Sequence, residues 1–193
     1  MANNKVHYGI CNVYYAKLTE TLSTTNGQYS ESYATPKALI GARSISLSPT
    51  QENVNFAADN NANYFTQNIF SGYEGTLVLA TLNDDFRKDI YGERADTNTL
   101  VGESISDTPA RFALIFQFEG DDKATRHVLY RCSAGKYEIA STTKDQTIEP
   151  GEISIPITVG SRLSDGLVKW KCEADKTTQY NGWNSSVYVP TFS

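Results

Sequence analysis

The 193-residue sequence predicts a mostly-β fold, a β-sandwich or partly closed barrel, with one short α-helix at about residues 84–91. Three observations lead to this prediction. Segments in which apolar and polar residues alternate recur along the chain, which is typical of strands with one buried face. Two such segments, 111–119 and 124–134, flank a turn and form a hairpin pattern. A single helical block, residues 83–93, lies between β-patterned segments.

The first predicted strand, residues 6–18, is rich in tyrosine and β-branched residues and carries apolar side chains on both faces. Such a strand is buried on both sides, against a second sheet or a neighbouring subunit. The polar stretch 19–32 follows and contains Asn26-Gly27, a pair typical of tight turns. In residues 44–48, Ile45 and Leu47 alternate with three serines and are predicted to point inward.

Residues 50–71 combine many asparagines with six large apolar side chains. Asparagine clusters favour turns, whereas aromatic side chains favour burial. An extended arm or hairpin that buries its apolar groups on a partner satisfies both preferences. The alternative is an irregular crossing on the same subunit. We predict an inter-subunit interface formed by these six residues and one near the C-terminus: Val54, Phe56, Tyr64, Phe65, Ile69, Phe70 and Tyr188.

The helical block follows a predicted strand at residues 73–82. Asn83 is a suitable N-cap, acidic residues follow it at the positive end of the helix dipole, and Gly92 ends the helix. Phe86 and Ile90 are four residues apart and share one face. Because so short a helix is unstable alone, we expect these two side chains to dock it on the sheet.

In the hairpin at 111–134, Phe112, Leu114, Phe116 and Phe118 are predicted to share one face. On the return strand, Val128, Tyr130 and Cys132 are predicted to share a face opposite His127. Pro156 lies within the strand pattern 152–159 and predicts an edge position. No internal repeat or linker divides the chain, so we predict a single domain, 1–193, with an extended arm at about 50–71 and terminal arms.

The charge pattern argues against tight nucleic-acid binding. The net charge is −5, and no basic cluster appears that would displace counterions from DNA. No apolar run is long enough for a signal peptide or a transmembrane helix, so we expect no membrane association and folding in the cytoplasm of the cell that makes the protein. Cys11, Cys132 and Cys172 lack metal-ligand spacing and are predicted to be free thiols.

The sequence predicts no catalytic residues, no cofactor and no metal site, and therefore a protein that is not an enzyme. His127 and Cys132 are an odd number of residues apart on one strand, so a regular strand directs them to opposite faces. Asp121 and Asp122 follow Gly120 and are interpreted as turn residues. Phosphate-binding and dinucleotide-binding glycine patterns are absent from the sequence.

Seven blocks of the sequence, taken together and in this order, are typical of one protein family. They are KVHYGICNVYYAKL (5–18), SISLSP (44–49), ADNNANYF (58–65), DDFRKDIYGE (84–93), FALIFQFEGDDKATRHVLYRC (112–132), TKDQTIEP (143–150) and WNSSVYVP (183–190). In this order the chain resembles the major tail tube proteins of long-tailed bacteriophages (siphoviruses) of Gram-positive hosts.

The resemblance implies a tail-tube-like β fold and a virion structural protein whose subunits stack as hexameric rings around a channel. It implies as partners further copies of the chain and other phage tail proteins, namely the tape measure, tail terminator and distal tail proteins. DNA would pass through the lumen without specific binding. The protein would be assembled in the host bacterial cytoplasm and reside in the virion tail.

Two other functional classes remain open on sequence alone. The first is a carbohydrate-binding or adhesin-type β-sandwich module, in which Trp170, Trp183 and some of the 12 tyrosines would stack on sugars. The second is a hydrolase that uses acidic residues in a cleft.

Overall fold

The computed structural model describes residues 8–139 and 151–192. The chain is mostly β, with 52% of residues in strands and 8% in helices, which confirms the predicted fold class. The strands are β1 (Tyr8–Leu22), β2 (Tyr29–Tyr33), β3 (Lys37–Ala38), β4 (Ala42–Ala58), β5 (Asn61–Leu79), β6 (Arg94–Ala95), β7 (Val101–Gly102), β8 (Phe112–Glu119), β9 (Arg126–Ala134), β10 (Ile153–Gly160) and β11 (Lys169–Cys172). The helices are α1 (Asp84–Phe86), which continues as a π-helical segment (Arg87–Tyr91), and α2 (Thr177–Gly182).

Nine of the described strands form one antiparallel sheet in the order β2-β1-β8-β9-β10-β5-β4. Two short strands complete it: β3 pairs with β1, and β11 pairs with β9. The sheet curls so that β1 and β4 approach each other, and residues 39–41 cross the gap between them. Within the described residues the sheet is not closed into a barrel. β6 and β7 form a separate small ribbon.

The concave face of the sheet encloses the main core, into which the short helix packs. Asn83 caps the helix by accepting a hydrogen bond from the Phe86 amide (3.0 Å), and Gly92 ends it in the left-handed region at φ 75°. Phe86 and Ile90 are fully buried. The Phe86 ring makes edge contacts with Tyr15 (4.9 Å) and Phe112 (5.5 Å), so it joins the helix to β1 and β8.

A second apolar cluster covers the opposite face of β1, β8 and β9. Trp183, which follows α2, is 1% exposed and packs with Ile115, Val128 and Tyr130. The sequence predicted one helix and missed α2, because Thr177–Gly182 lacks an apolar stripe and has no capping side chain. Tertiary contacts hold this helix: Tyr180 packs against the second cluster and lies under the Arg126 guanidinium (3.8 Å to the ring centroid).

Two predictions for individual strands were wrong. A bulge in the pairing of β8 with β9 puts Cys132 in the main core with Leu129, whereas Val128 and Tyr130 face the second cluster. β10 lies inside the sheet, not at its edge. Pro156 is tolerated because the β9–β10 pairing begins one residue later, at Ile157–Ala134, and the Pro156 carbonyl still accepts from the Gly135 amide.

Some predictions fall on residues that the structure does not describe. The N-terminal arm is described only from Tyr8 onward, and the block 143–150 lies wholly outside the described residues. In the second half of the chain the described part resumes at Gly151 and ends at Phe192.

Candidate assembly interface

Residues 50–71 form a two-stranded hairpin that projects from the end of the sheet. β10 pairs with β5 only as far as Val159–Tyr73, and beyond this point β4 and β5 pair only with each other. The two strands are joined by Asp59 and Asn60, which both have positive φ (52° and 57°). Consecutive positive φ values define the turn geometry that matches strand twist, and Asp and Asn tolerate it well. The projection is therefore a regular β-hairpin.

The pairing register separates the hairpin into two faces. Phe56 pairs with Phe65, Val54 with Gln67 and Glu52 with Ile69. Residues that pair directly share a face, so Val54, Phe56, Phe65 and Ile69 lie on one side, together with their partners Glu52 and Gln67. We call these four residues the apolar face. The other side carries mostly uncharged polar groups together with two aromatic rings, and its members are Gln51, Asn53, Asn55, Tyr64, Thr66, Asn68 and Phe70.

The apolar face lies on the side of the sheet that faces away from the main core. Along β4, Ile45 and Leu47 pack against that core. Val54 and Phe56 are an odd number of residues from Leu47, and regular alternation therefore directs them to the opposite side. The side chains of this face therefore cannot join the core of their own subunit without a twist or slip of the strand.

A bulge at the base of the hairpin places the apolar side chains of β5 on the same face as those of β4. Thr50 pairs with Gly72 and Gln51 with Phe70, which leaves Ser71 as the extra residue. Simple alternation from Leu77 would direct Phe65 and Ile69 toward the main core; the extra residue sends them to the other side, beside Val54 and Phe56. Ser71 also donates a hydrogen bond to the Thr50 carbonyl (3.1 Å).

Gly72 allows the neighbouring strand to approach at this bulge. It has φ 147°, and a Cβ atom at this position would lie 2.0 Å from the Val159 carbonyl oxygen. Real Cβ atoms do not approach backbone oxygens so closely, so only glycine fits where the hairpin leaves the sheet.

The six hairpin residues predicted as interface are all exposed, from 44% for Val54 to 61% for Phe56. Tyr188, the seventh, is different. It is half-buried, its ring stacks on Trp183 (centroids 5.3 Å apart), and its carbonyl accepts a hydrogen bond from the Tyr130 hydroxyl (2.9 Å). The structure therefore places Tyr188 in the second apolar cluster of its own subunit, away from the hairpin.

The outer strands of the sheet are β2 and β4, and residues 39–41 cross part of the gap beside β4. Among the described strands, β2 and β4 each pair on one side only. Open strand edges present unpaired amides and carbonyls and are pairing sites for other chains.

Strand β2 is held in place by a buried ion pair. The Glu31 side chain is inaccessible and accepts hydrogen bonds from Arg162 Nε (3.0 Å), the Leu163 amide (2.9 Å) and Ser164 Oγ (2.5 Å). Burial alone would raise the pKa of Glu31, but these hydrogen bonds outweigh it and hold the pKa below its ordinary value. These contacts anchor β2 to residues 162–164.

The residues considered for chemistry do not form a catalytic arrangement. The β9 bulge places His127 and Cys132 on the same side of the sheet, contrary to the prediction, but their partners on β8 are Phe116 and Phe112. Four residues of strand separate side chains by roughly 13 Å, which is too far for a nucleophile and its base. Burial raises the pKa of the Cys132 thiol and keeps it protonated.

A groove of about 440 Å³ lies beside β11 and includes Trp170 and Trp183 in its lining. Trp170 is 36% exposed and contacts Phe192 edge-on (6.0 Å). Trp183 is buried and stacked on Tyr188, which leaves Trp170 as the exposed indole. In the described residues, no group of three or more His, Cys, Asp or Glu side chains is arranged to hold a metal ion. None of the helices described is long and apolar enough to cross a bilayer.

No protein-family model matches the chain, and a search of curated proteins finds no significant match.

Proposed function

We propose that this protein is a structural subunit of a bacteriophage tail tube, which polymerises as stacked hexameric rings around a channel for DNA. The observation that carries the proposal is the apolar face of the hairpin, four large side chains on a projecting element that its own core does not cover. Contiguous exposed apolar groups mark interaction sites, and a hairpin that leaves one end of a sheet reaches a neighbouring molecule.

The open borders of the sheet support lateral association. Pairing of β2 of one subunit with β4 of the next would satisfy both edges and continue the sheet around a ring. Such a contact joins two different surfaces, so it closes when its rotation fits a ring. The hairpin would act in the perpendicular direction, between rings, where repeated head-to-tail contacts grow without closing.

The charge of the chain is compatible with a conduit for DNA. The net charge of −5 and the uncharged amide side of the hairpin offer few cations to phosphates. In this proposal the tape measure, tail terminator and distal tail proteins are the other partners, and the virion tail is the final location.

Electron microscopy of the purified full-length chain over a concentration series tests this function. We expect rings or tubes with a central channel, together with a concentration-dependent increase in sedimentation coefficient. A protein that stays monomeric at millimolar concentration, alone and with the other tail proteins present, would refute the proposal.

The partly exposed Trp170 beside its groove is the observation that favours the alternative, a carbohydrate-binding module. It predicts saturable glycan binding by the monomer that a Trp170→Ala variant loses. A glycan array with both proteins separates the two functions, because tube formation does not require Trp170.

A further inference from the structure

We propose that the apolar face of one copy's hairpin docks on Leu100, Ile105 and Ile139 of a second copy, at the opposite end of the sheet. We call these three residues the receiving surface. This inference rests on the proposed function and identifies the partner surface of the hairpin.

The chain leaves one row of paired residues in opposite directions to form the hairpin and the receiving surface. The hairpin leaves beyond the paired residues Val159 and Tyr73. The receiving surface belongs to the segments that precede β8 and follow β9. Phe112 pairs with Cys132 and Cys132 pairs with Val159, so they lie in the same row of paired residues, and the segments before Phe112 and after Cys132 leave this row in the direction away from the hairpin. An ion pair between Lys136 and Glu103 (2.8 Å) links these two segments.

The three side chains of the receiving surface are strongly exposed large apolar groups on the described loops. Ile105 is 107% exposed, Ile139 89% and Leu100 68%. Side chains of this kind are usually covered in the functional assembly when several of them occur together.

Local hydrogen bonds fix the loop that carries two of these residues. Asp96 accepts from the amides of Asn98 and Leu100 (both 2.8 Å), and Asp107 accepts from the Ser104 amide (2.7 Å). The backbone around Leu100 and Ile105 is therefore preorganised, which lowers the entropy lost when a partner binds.

A second copy is the occupant that fits these positions. The hairpin points away from the receiving surface of its own subunit, so the two meet only when another copy is placed end to end. At ~3.3 Å per residue, the part of β4 beyond Thr50 extends roughly 25 Å, enough to lie across the loops of the next copy. A contact between two different surfaces at opposite ends repeats indefinitely, as a tube requires.

Two complementary variants test the direction of the contact. The hairpin variant Phe56→Ser/Phe65→Ser keeps its receiving surface, and the receiving variant Leu100→Ser/Ile105→Ser/Ile139→Ser keeps its hairpin. All five side chains are exposed, so both variants should fold with the wild-type melting temperature. Each alone should form no tubes, whereas the mixture should form a single hairpin contact and stop at two subunits or two stacked rings.

The outcomes separate this inference from the proposed function. If the wild type forms tubes and the receiving variant does so equally well, the receiving surface is wrong and the tube function stands. If the wild type forms no assembly under any condition, both proposals fall. If the mixture grows into long tubes, the contact is not of the one-way kind proposed here.

A cross-linking experiment provides an independent readout. Phe56→Cys and Ile105→Cys introduced together should give disulfide-linked ladders under mild oxidation. The matched control, Tyr64→Cys with Ile105→Cys, places the thiol on the other side of the hairpin and should not exceed the wild-type background from its three native cysteines. Equal ladders from both pairs would contradict docking through the apolar face.

Discussion

Phe56 and Phe65 lie directly opposite each other across the hairpin, and both rings are about half exposed or more (61% and 49%). A directly opposed aromatic pair stabilises a two-stranded ribbon by about 0.2–1 kcal/mol. The same rings leave a large apolar area in contact with solvent. The pair therefore contributes little to the fold of one subunit and much more to an assembly that covers it.

Replacement of both rings by serine, Phe56→Ser/Phe65→Ser, should abolish assembly and leave the subunit folded. Covering one phenylalanine is worth ~1.5–3 kcal/mol, so the concentration needed for assembly should rise at least about tenfold. Thermal unfolding of the monomer should change by no more than about 0.5 kcal/mol. Sedimentation velocity and electron microscopy measure the assembly.

Tyr64→Ser is the matched control for this experiment. Tyr64 is 58% exposed and adjacent in sequence to Phe65, but its side chain lies on the other face of the hairpin. Assembly should be retained in the control. If Tyr64→Ser is as damaging as the double variant, the distinction between the two faces is wrong.

The class of the fold and the helix could be predicted from local sequence signals. Asn83, Phe86 and Gly92 each carry a signal that acts within a few residues, and the structure gives each the expected environment. The apolar residues of the 50–71 segment were also recognisable. Their division between two faces was not, because it depends on the bulge at Ser71, which appears only when two distant strands pair.

The same limit explains the errors at Cys132 and Pro156. Alternation along a strand predicts the face of a side chain only while the strand pairing is regular. The β9 bulge interrupts the pairing and moves Cys132 to the opposite face. Pro156 is accommodated because a neighbouring strand ends beside it, a fact of tertiary structure. The receiving surface gave no sequence signal, since Leu100 and Ile105 lie in a mostly polar loop without a regular apolar pattern and Ile139 is remote in sequence.

The glycine at the base of the hairpin should be irreplaceable. In Gly72→Ala the new methyl group would meet the Val159 carbonyl, so β5 and β10 must separate locally. We expect the free energy of unfolding to fall by about 2 kcal/mol or more. Urea denaturation followed by tryptophan fluorescence measures this loss.

Gly102→Ala is the control for the loss of glycine flexibility. A Cβ atom at Gly102 meets no other atom within 4 Å, and this residue does not have a strained backbone. Its unfolding free energy should stay within about 0.5 kcal/mol of wild type. Equal losses at the two positions would argue against the close approach at Gly72.

The stability of the protein should depend more on the buried Phe86 ring than on the Asn83 cap. Phe86→Ala removes the contacts with Tyr15 and Phe112 and should destabilise the protein by about 3–5 kcal/mol. Asn83→Ala removes one capping hydrogen bond and should cost about 1 kcal/mol. Chemical denaturation of both variants gives the comparison, and a larger loss for Asn83→Ala would contradict the packing role of Phe86.

The Glu31–Arg162 pair should make stability depend on pH in the acid range. The pKa of Glu31 is lower in the folded protein than its ordinary value of 4.5, so the unfolded chain binds a proton more readily. The stabilisation is complete above the ordinary pKa and is lost as pH falls through the folded pKa. Unfolding free energies from urea titrations should therefore decrease below about pH 4.5, and Glu31→Gln should reduce that decrease.

Added salt should distinguish the contribution of the buried Glu31–Arg162 pair from that of surface pairs. Glu173 also has a lowered pKa, caused first by its hydrogen bond with Lys123, but both side chains of this pair are partly exposed to solvent. Added salt screens exposed charges, so any flattening of the pH curve in Glu173→Gln should disappear at about 1 M salt. The effect of Glu31→Gln should persist there, because solvent ions do not reach an inaccessible carboxylate. If salt removes both effects equally, Glu31 does not anchor strand β2 as a buried group.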